Sequence, residues 1–231
     1  MELIEKAHKK ANEIDKLTDL PDIQINHLID YTLLKPDATY EDLENFIINA
    51  INKNYYSVCV NPFFVPKVRE LLEGKNIKIC SVVGFPLGAL PLKLKLSEVE
   101  WLLDKGVNEI DMVMNISAFK SKDYKLVEYE IKEVSKIFKN LKIIIETCLL
   151  TDEEKIIACK IVKDNGAMFV KTSTGFSKYG ATLFDVALLR EVVGKDFGVK
   201  ASGGIRDKET AIKMILVGAN RNKLLFLLKF H

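Results

Sequence analysis

Short apolar runs alternate regularly with amphipathic helical patterns along the chain, and this alternation constrains the fold more than any other feature. Runs rich in β-branched residues predict eight strands, at positions 28–33, 57–60, 78–83, 109–114, 142–147, 168–173, 198–203 and 221–226. Consecutive runs start roughly 20–35 residues apart, which leaves room for one helix and two loops, as repeated βα units require. The pattern therefore predicts an α/β fold built from eight βα units.

Helical periodicity fills the gaps between these runs. Apolar residues at helical spacing predict helices at positions 40–52, 65–72, 97–104, 124–138, 152–165, 183–193 and 208–217. Thr39, Thr151 and Asp207 each precede such a segment, and acidic residues follow in the first turn, so these three residues are predicted N-caps. Each of these three predicted helix starts thus falls a few residues after the end of a predicted strand.

Several predicted strands are apolar on both faces, which is typical of a parallel sheet covered by helices. Eight such strands favour a closed (β/α)8 TIM barrel, and an open doubly wound sheet is the alternative. With 48% hydrophobic residues the chain can bury one large core, so residues 1–231 are expected to form a single domain. Residues 1–26 carry an apolar stripe at helical spacing and are expected to be a helical extension that covers the bottom of the barrel.

The charge and cysteine content exclude several classes of function. The 34 basic and 32 acidic residues are spread along the chain without a basic tract, so nucleic acid is not an expected partner. No stretch approaches the ~20 apolar residues that span a bilayer, and the N-terminus lacks a signal-peptide pattern, so we expect a cytoplasmic protein without membrane association. The four cysteines and three histidines show no metal-ligand spacing, which predicts free thiols and no metal site.

Two lysines, Lys171 and Lys200, interrupt runs that otherwise resemble buried strands. Burial and a neighbouring cation both lower the pKa of an amine, so two buried lysines close together predict one uncharged, nucleophilic amine. The alternative is a pair of strand-end lysines that reach solvent over packed stems. In a barrel the catalytic groups gather at the carboxyl ends of the strands, where both lysines lie, and this position favours catalysis.

Asp111 interrupts a third apolar run. An isolated carboxylate is costly to bury unless a cation or several hydrogen bonds compensate it, and Lys200 is the expected counterpart. A purely structural ion pair is the alternative for this aspartate. Because two lysines accompany it, the carboxylate is better interpreted as part of a proton relay.

Glycines follow three of the predicted strands and indicate a phosphate site. Gly84 and Gly88 come after the third strand, Gly175 after the sixth, and the pair Gly203 and Gly204 after the seventh. Glycine lets backbone N–H groups approach an anion closely, and loops at this end of a barrel often hold phosphate. The same glycines would also serve tight strand-to-helix turns. A small phosphorylated molecule is the expected ligand.

Five segments resemble deoxyribose-phosphate aldolases, in the same order along the chain: 29–39 (IDYTLLKPDAT), 81–89 (SVVGFPLGA), 109–115 (EIDMVMN), 169–176 (FVKTSTGF) and 199–206 (VKASGGIR). The resemblance implies a class I aldolase on a TIM barrel that needs neither a metal nor another cofactor. It implies cleavage of 2-deoxy-D-ribose 5-phosphate to D-glyceraldehyde 3-phosphate and acetaldehyde, in deoxyribonucleotide catabolism. A homodimer is one possible assembly.

The family motifs also imply roles for individual residues. Lys171, in FVKTSTGF, resembles the lysine that forms the Schiff base with the substrate aldehyde. Lys200, in VKASGG, resembles the lysine that keeps the first amine unprotonated and takes part in proton transfer. Asp111, in EIDMVMN, resembles the acid/base partner of these lysines, and Asp30, in IDYT, resembles a residue near the sugar.

The chain departs from the family at two places. After Arg221 the family continues with Ile-Gly-Thr-Ser-Ser, whose small polar residues complete the phosphate site, whereas residues 222–231 (NKLLFLLKFH) form an atypical apolar tail. One wall of the phosphate site is therefore expected to be missing. Residues 90–95 (LPLKLK) are also unusual and are predicted to be a leucine-rich loop.

These departures leave two alternatives to an active aldolase of this family. A catalytically impaired barrel with a damaged phosphate site could persist as a binding or assembly protein. Another Schiff-base enzyme, such as a transaldolase-like aldolase, is disfavoured because its motifs would not reproduce both VKASGG and EIDMVMN. Borohydride trapping of a Schiff base distinguishes the first alternative from an active enzyme.

Overall fold

Eight parallel strands close into a barrel in chain order in the computed structural model, which describes residues 1–225. The strands are β1 (Ile29–Leu33), β2 (Ser57–Val60), β3 (Lys78–Val83), β4 (Glu109–Val113), β5 (Leu141–Ile144), β6 (Phe169–Lys171), β7 (Gly198–Ala201) and β8 (Arg221–Leu225). Each strand pairs with its two neighbours, and β8 closes the barrel against β1. The prediction of a TIM barrel is therefore confirmed, and the open-sheet alternative is wrong.

Helices cover the outside of the barrel, and all those described except the first lie between consecutive strands. They are α1 (Glu2–Asp15), α2 (Tyr40–Lys53), α3 (Val65–Leu71), α4 (Leu92–Asp104), α5 (Ile116–Lys120), α6 (Tyr124–Ile137), α7 (Asp152–Asp164), α8 (Leu183–Val193) and α9 (Lys208–Val217). The predicted caps are confirmed: Thr39 and Thr151 form capping boxes on α2 and α7, and Asp207 caps α9. Each cap accepts a hydrogen bond from a backbone N–H that has no partner within its helix.

Two helices differ from the sequence-based prediction. α4 begins at Leu92, so the predicted leucine-rich loop is wrong and most of that segment forms the first turn of a helix. Pro91 precedes this helix, and proline suits a helix start because its φ is fixed and it has no N–H to leave unpaired. The sequence gives no sign of α5, because a helix of five residues is too short for its periodicity to be recognised.

The N-terminal segment lies beside the barrel and not under it. α1 ends at Asp15, and it packs chiefly against α8 and also against α9. Ala7 and Ala11 are buried on this face, and the His8 ring stacks on Phe184 of α8 with 4.0 Å between the ring centroids. The predicted N-terminal helix is therefore present over residues 2–15, but its apolar stripe is buried against two other helices and not at the barrel bottom, where it was expected. None of the helices described within residues 1–225 combines the length and apolarity that crossing a bilayer requires.

The hydrophobic core fills the space between the strands and the surrounding helices. Phe46, Leu102, Val134 and Leu188 project from four different helices into this space and are fully buried. Burial of apolar surface stabilises a fold by about 25 cal/mol per Å², so packing between the strands and these helices stabilises the barrel. The inside of the barrel is lined instead by polar and charged side chains.

β8 pairs with β1 and β7 although its sequence departs from the motif that the resemblance predicts after Arg221. In the pairing with β1, Lys223 lies opposite Asp30. Side chains alternate between the two faces of a strand. Arg221 and Lys223 accordingly point into the barrel, while Asn222 points outward, where its Nδ2 donates a hydrogen bond to Ala211 O on α9 at 2.9 Å.

The tail predicted at residues 222–231 divides into two parts. Residues 222–225 belong to β8, and the first two, Asn222 and Lys223, are buried polar residues. This part agrees with the strand predicted at 221–226, and strand pairing buries the two polar side chains on opposite faces of β8. Residues 226–231 lie outside the described part of the chain.

Candidate active site

Polar side chains from the strands fill the inside of the barrel in layers. Inward-pointing residues of a TIM barrel stack in layers of four, contributed alternately by odd and even strands. The middle layer comes from the odd strands and contains Asp30, Cys80, Lys142 and Lys200. The next layer toward the carboxyl ends comes from the even strands and contains Cys59, Asp111, Lys171 and Lys223. All eight side chains are at most 1% exposed, so their charges must compensate one another.

Asp111 binds three lysines inside the barrel. Its Oδ2 accepts a hydrogen bond from Lys171 Nζ and one from Lys200 Nζ, each at 2.7 Å, and its Oδ1 accepts one from Lys142 Nζ at 2.9 Å. Burial alone would raise the pKa of this carboxyl group, but the three lysines outweigh burial and hold the pKa well below its usual range. Asp111 is therefore a carboxylate that holds both of the predicted lysines in place.

Lys200 lies between two carboxylates. Its Nζ contacts Asp30 Oδ2 as well as Asp111 Oδ2. Burial would lower the pKa of Lys200, yet the charges of Asp111 and Asp30 raise it above its usual range. The expected pairing of Lys200 with Asp111 is thus present, and Lys200 holds its proton.

Asp30 links the lysines to the lower part of the barrel. Its Oδ1 accepts hydrogen bonds from Arg221 Nη1 and Ser57 Oγ, each at 2.7 Å. Burial would raise the pKa of Asp30, and the cations Lys200, Lys142 and Arg221 lower it. In this structure Asp30 is a buried carboxylate of the middle layer that fixes Lys200 and Arg221.

Lys171 and Lys200 are both fully buried, with 0% of the side chain exposed. The alternative that they reach solvent as strand-end lysines is therefore wrong. In the strand pairing they lie directly opposite each other on β6 and β7, so the two amines share one carboxylate oxygen. Such a cluster is tolerated because Asp111 and Asp30 compensate the positive charge.

Charged residues near the starts of three strands complete the network, and they were not predicted from the sequence. Lys142 Nζ lies 2.7 Å from Glu109 Oε2, and Arg221 Nη1 lies 3.6 Å from the same oxygen. The Arg221 guanidinium also lies over the Tyr56 ring, 3.5 Å from its centroid. A charge inside an apolar run could have identified these residues. Near the start of a strand, however, a charged side chain that reaches solvent is equally expected.

The predicted glycines after β6 and β7 lie against each other at the carboxyl end of the barrel. Gly175 and Gly203 have φ angles of +85° and +87°, in the left-handed region that favours glycine. A Cβ at Gly203 would lie 2.8 Å from Gly180 Cα, and one at Gly175 would lie 3.3 Å from Lys223 Nζ. Gly204 has open space beside it. The structure therefore brings Gly175 and Gly203 together next to Lys223.

The glycines after β3 have a packing role. A Cβ at Gly88 would lie 2.1 Å from Met114 O, and one at Gly84 would lie 2.8 Å from Lys95 Cε. Lys95 is itself buried and forms an ion pair with Glu130 at 2.8 Å. Backbone and side chains already occupy the space beside these two glycines.

Lys223 belongs to the same layer as Lys171, and it was not among the residues predicted from the sequence. Its Nζ donates a hydrogen bond to Thr174 O, in the loop after β6, at 2.8 Å. Burial, together with the neighbouring Lys171, lowers the pKa of Lys223 to about 7. Alternation counted from Arg221 could have placed this residue inside the barrel.

One group of potential metal ligands overlaps this network. The ligand atoms of Cys59, Cys80 and Asp111 lie within 4.8 Å of one another. Lys142 Nζ, however, lies 2.9 Å from Asp111 Oδ1 and 3.6 Å from Cys80 Sγ, so an amine already binds two of these ligands. Burial raises the pKa of the Cys80 thiol well above its usual range, whereas a metal ligand must be a thiolate. These residues do not fit a metal site.

Comparison with known proteins points to one family. The model of the DeoC/LacD family aldolases matches residues 13–222, a match that ends immediately before Lys223. A deoxyribose-phosphate aldolase from Brevibacillus brevis is 49% identical over 201 residues, which cover 86% of this chain and 91% of that protein. Another, from Caldanaerobacter subterraneus, is 52% identical over 204 residues, which cover 86% of this chain and 88% of that protein.

Solved structures agree with these relatives. QR15, described as an aldolase, superposes with a TM-score of 0.84 at 40% identity and covers 87% of this chain and 91% of that one. A deoxyribose phosphate aldolase from Aeropyrum pernix, described as tetrameric, superposes with a TM-score of 0.81 at 31% identity, with 95% and 92% covered. These relatives are all named as aldolases, so the comparisons do not support a barrel that has kept only a binding role.

Proposed function

The chain belongs to the DeoC/LacD aldolase family, and from this membership we propose that it is a Schiff-base aldolase in deoxyribonucleotide catabolism. Its proposed reaction is the reversible cleavage of 2-deoxy-D-ribose 5-phosphate to D-glyceraldehyde 3-phosphate and acetaldehyde. The observation that carries the proposal is that Lys171 and Lys200 share one oxygen of Asp111 inside the barrel. The reaction needs no cofactor, because a protonated imine formed on a lysine withdraws electrons from the bond to be broken.

We assign the nucleophilic amine to Lys171. Lys200 keeps its proton because the carboxylates of Asp111 and Asp30 raise its pKa, so it cannot attack a carbonyl group. Within residues 1–225, Lys171 is paired with a single carboxylate, that of Asp111. Lys171 is also the last residue of β6, and the loop that follows carries Gly175. The amine therefore stands where a substrate entering from the carboxyl end of the barrel would meet it.

The proposed cleavage uses the iminium nitrogen as an electron sink. The Lys171 amine adds to the C1 aldehyde of the sugar, and loss of water gives the iminium. Removal of the C3 hydroxyl proton then breaks the C2–C3 bond, which releases glyceraldehyde 3-phosphate and leaves the enamine of acetaldehyde on the lysine. Protonation of the enamine at C2 and hydrolysis by water release acetaldehyde and restore the amine.

Asp111 and Lys200 are the proposed proton relay. Lys200 Nζ lies 2.7 Å from Asp111 Oδ2. Asp111 is a carboxylate and Lys200 is a cation, so the pair contains both a proton acceptor and a proton donor. A bridging water would carry the proton between this pair and the substrate. Lys142 and Arg221, bound to Asp111 and Asp30, are positioning residues that keep the two carboxylates ionised.

Borohydride trapping with acetaldehyde tests the assignment. Reduction should add an ethyl group to the peptide that contains Lys171, detected by mass spectrometry, and should abolish cleavage of the sugar phosphate. The matched control is Lys163→Met, which removes an exposed lysine on α7 and should leave trapping and turnover intact. An adduct on Lys200 would reverse the roles of the two lysines. The lack of both adduct and turnover would contradict a Schiff-base aldolase.

We also propose that the enzyme works as a homodimer in the cytoplasm. An exposed apolar groove lined by Phe63, Leu90, Leu94 and Trp101 offers a surface of the kind that subunit interfaces bury. Light scattering should give twice the chain mass of 26.2 kDa. Four times that mass would instead match the tetramer described for the relative from Aeropyrum pernix.

A further inference from the structure

Lys223 stands where the resemblance places the glycine of Ile-Gly-Thr-Ser-Ser, and it points into the layer of the active site. Alternation along β8 puts it in the same layer as Asp111 and Lys171. Its side chain is 1% exposed. The chain therefore has a buried amine at the position where part of the family's phosphate site is missing.

Lys223 differs from the other buried lysines within residues 1–225 because it has no carboxylate partner there. The other five each lie within 4.0 Å of an aspartate or glutamate oxygen: Lys95, Lys142, Lys155, Lys171 and Lys200. The Lys223 amine instead donates to Thr174 O at 2.8 Å and lies 5.9 Å from the centroid of the Phe176 ring. A buried ammonium without a counter-charge is costly, so a bound anion would relieve a cost that the fold already carries.

The surroundings of this amine suit an oxyanion. The loops that carry Gly175 and Gly203 meet beside it, and a Cβ at Gly175 would lie 3.3 Å from Lys223 Nζ, so no side chain separates the Gly175 backbone from the amine. Ser173 and Ser202, close to these glycines in the chain, each have a buried Oγ with no hydrogen-bond partner among the described residues. Buried polar groups without partners are rare, and these two hydroxyls occur at the same end of the barrel as an amine that has a hydrogen-bond acceptor but no counter-charge among the described residues.

We propose that Lys223 binds the phosphate group of the aldolase substrate, in place of the glycine and hydroxyl residues of the related enzymes. This inference rests on the proposed function, because it names the residue that recognises the phosphate in that same site. An ammonium supplies three N–H donors and a positive charge, whereas serine and threonine hydroxyls supply hydrogen bonds alone. In this chain a lysine would thus recognise the phosphate in place of small residues. The side of the phosphate site that was expected to be missing would be formed by a cation.

Phosphate binding at this position should be coupled to a proton. The charged and titratable groups around Lys223 are Lys171 on β6, Lys200 on β7, Asp111 on β4 and Cys59 on β2. Burial and the two neighbouring lysines lower the pKa of Lys223 to about 7, and a bound phosphate would raise it. Because a phosphate monoester loses its second proton near pH 6, affinity should be highest at about pH 6–7 and should fall as Lys223 loses its proton.

Steady-state cleavage of deoxyribose 5-phosphate and of unphosphorylated deoxyribose tests this role in wild type and in Lys223→Met. For the phosphorylated sugar, KM should rise about tenfold to a hundredfold in the variant, as for the loss of one hydrogen bond to a charged group. The ratio of kcat/KM for deoxyribose 5-phosphate to kcat/KM for deoxyribose should fall by about the same factor, because only the phosphorylated sugar would contact this amine through its phosphate. In wild type alone, KM for the phosphorylated sugar should also rise with pH above about 7. Lys163→Met is the control for loss of a lysine and should behave as wild type.

Three results would overturn the role of Lys223. Equal losses with both sugars would make Lys223 a structural residue, and an unchanged KM would mean that other groups hold the phosphate. A borohydride adduct on Lys223 would make it a nucleophile and not an anion ligand. Circular dichroism checks the folding of each variant, and Lys223→Gln is the second neutral variant if Lys223→Met does not fold.

Inorganic phosphate separates failure of this inference from failure of the proposed function. If wild type cleaves neither sugar, the proposed function fails, while calorimetric titration with inorganic phosphate still reports on the site. Tighter phosphate binding by wild type than by Lys223→Met, with proton uptake measured in two buffers of different ionisation enthalpy, would support the anion site by itself. Equal binding by the two proteins would contradict it, whatever their activity.

Discussion

Replacing Lys223 by methionine should make the protein more stable near neutral pH. In the folded protein, burial and the neighbouring Lys171 lower the pKa of this amine to about 7, against about 10.4 for a lysine in an unfolded chain. One pKa unit corresponds to about 1.4 kcal/mol, so burial of this amine costs on the order of 3–5 kcal/mol at pH 7. Methionine has a similar length and no charge, so it removes this cost. It also leaves Thr174 O without its donor, and this loss reduces the gain in stability by about 1 kcal/mol.

The sign of the pH dependence follows from proton binding. Between about pH 7 and pH 10 the unfolded chain keeps a proton on Lys223 that the folded protein has lost. The free energy of unfolding of wild type therefore gains a contribution that rises with pH in this window, by at most about 1.4 kcal/mol per pH unit. The variant lacks this contribution, so its advantage should be fully present below about pH 7 and should shrink toward pH 10.

Urea unfolding at about pH 7, 8 and 9, followed by circular dichroism, measures the difference between the two proteins at each pH. Other ionisable groups titrate in both proteins, so the difference isolates Lys223, and Lys163→Met should follow wild type. Parallel pH profiles for wild type and Lys223→Met would refute the reasoning, since they would mean that the amine is solvated or paired in the folded protein. A variant less stable than wild type at pH 7 would refute it equally.

Three other changes test the site and the fold. Asp111→Asn should lower kcat by about 10²–10⁴-fold while borohydride adducts still form, because the proton relay is lost and the amine is kept; an unchanged kcat would contradict the relay. Gly203→Ala should lower the melting temperature more than Gly194→Ala, because both glycines have positive φ but only at Gly203 would a Cβ meet backbone, 2.8 Å from Gly180 Cα. Equal losses would mean that the loop moves aside. Thr151→Ala should cost about 1 kcal/mol in urea unfolding, because it removes the N-cap of α7; no measurable loss would mean that water replaces the cap.

The barrel was predictable because its signals are long, repeated and mutually consistent. Eight apolar runs alternate with helical patterns, and Thr39 and Thr151 mark helix starts that the structure confirms. Lys171, Lys200 and Asp111 could be singled out because each lies within or at the end of a buried run, where a charge has no simple structural explanation. Local patterns of this kind can be recognised without knowing which residues contact one another in the fold.

The rest depends on contacts that only the closed barrel creates. Lys142 and Arg221 lie near the starts of their strands, where a charge ordinarily reaches solvent, and barrel closure turns them toward Glu109. Lys223 is followed by an apolar run in the sequence, so the average character of the segment concealed one polar position that points into the barrel. The placement of α1 likewise depends on which neighbouring surface complements its apolar face, and the periodicity of one helix does not contain that information.

Alternation along β8 determines which of its side chains enter the barrel. β8 is held by backbone pairing with β1 on one side and β7 on the other, and backbone hydrogen bonds are indifferent to the side chains between them. Its odd-numbered residues, Arg221 and Lys223, face inward, and the even-numbered Asn222 faces α9. Insertion or deletion of one residue before Arg221 could preserve the ladder and exchange the two faces, which would remove two cations from the interior in one step. The last strand is therefore a place where a minimal change in the gene can alter which anions the barrel accepts while its architecture is unchanged.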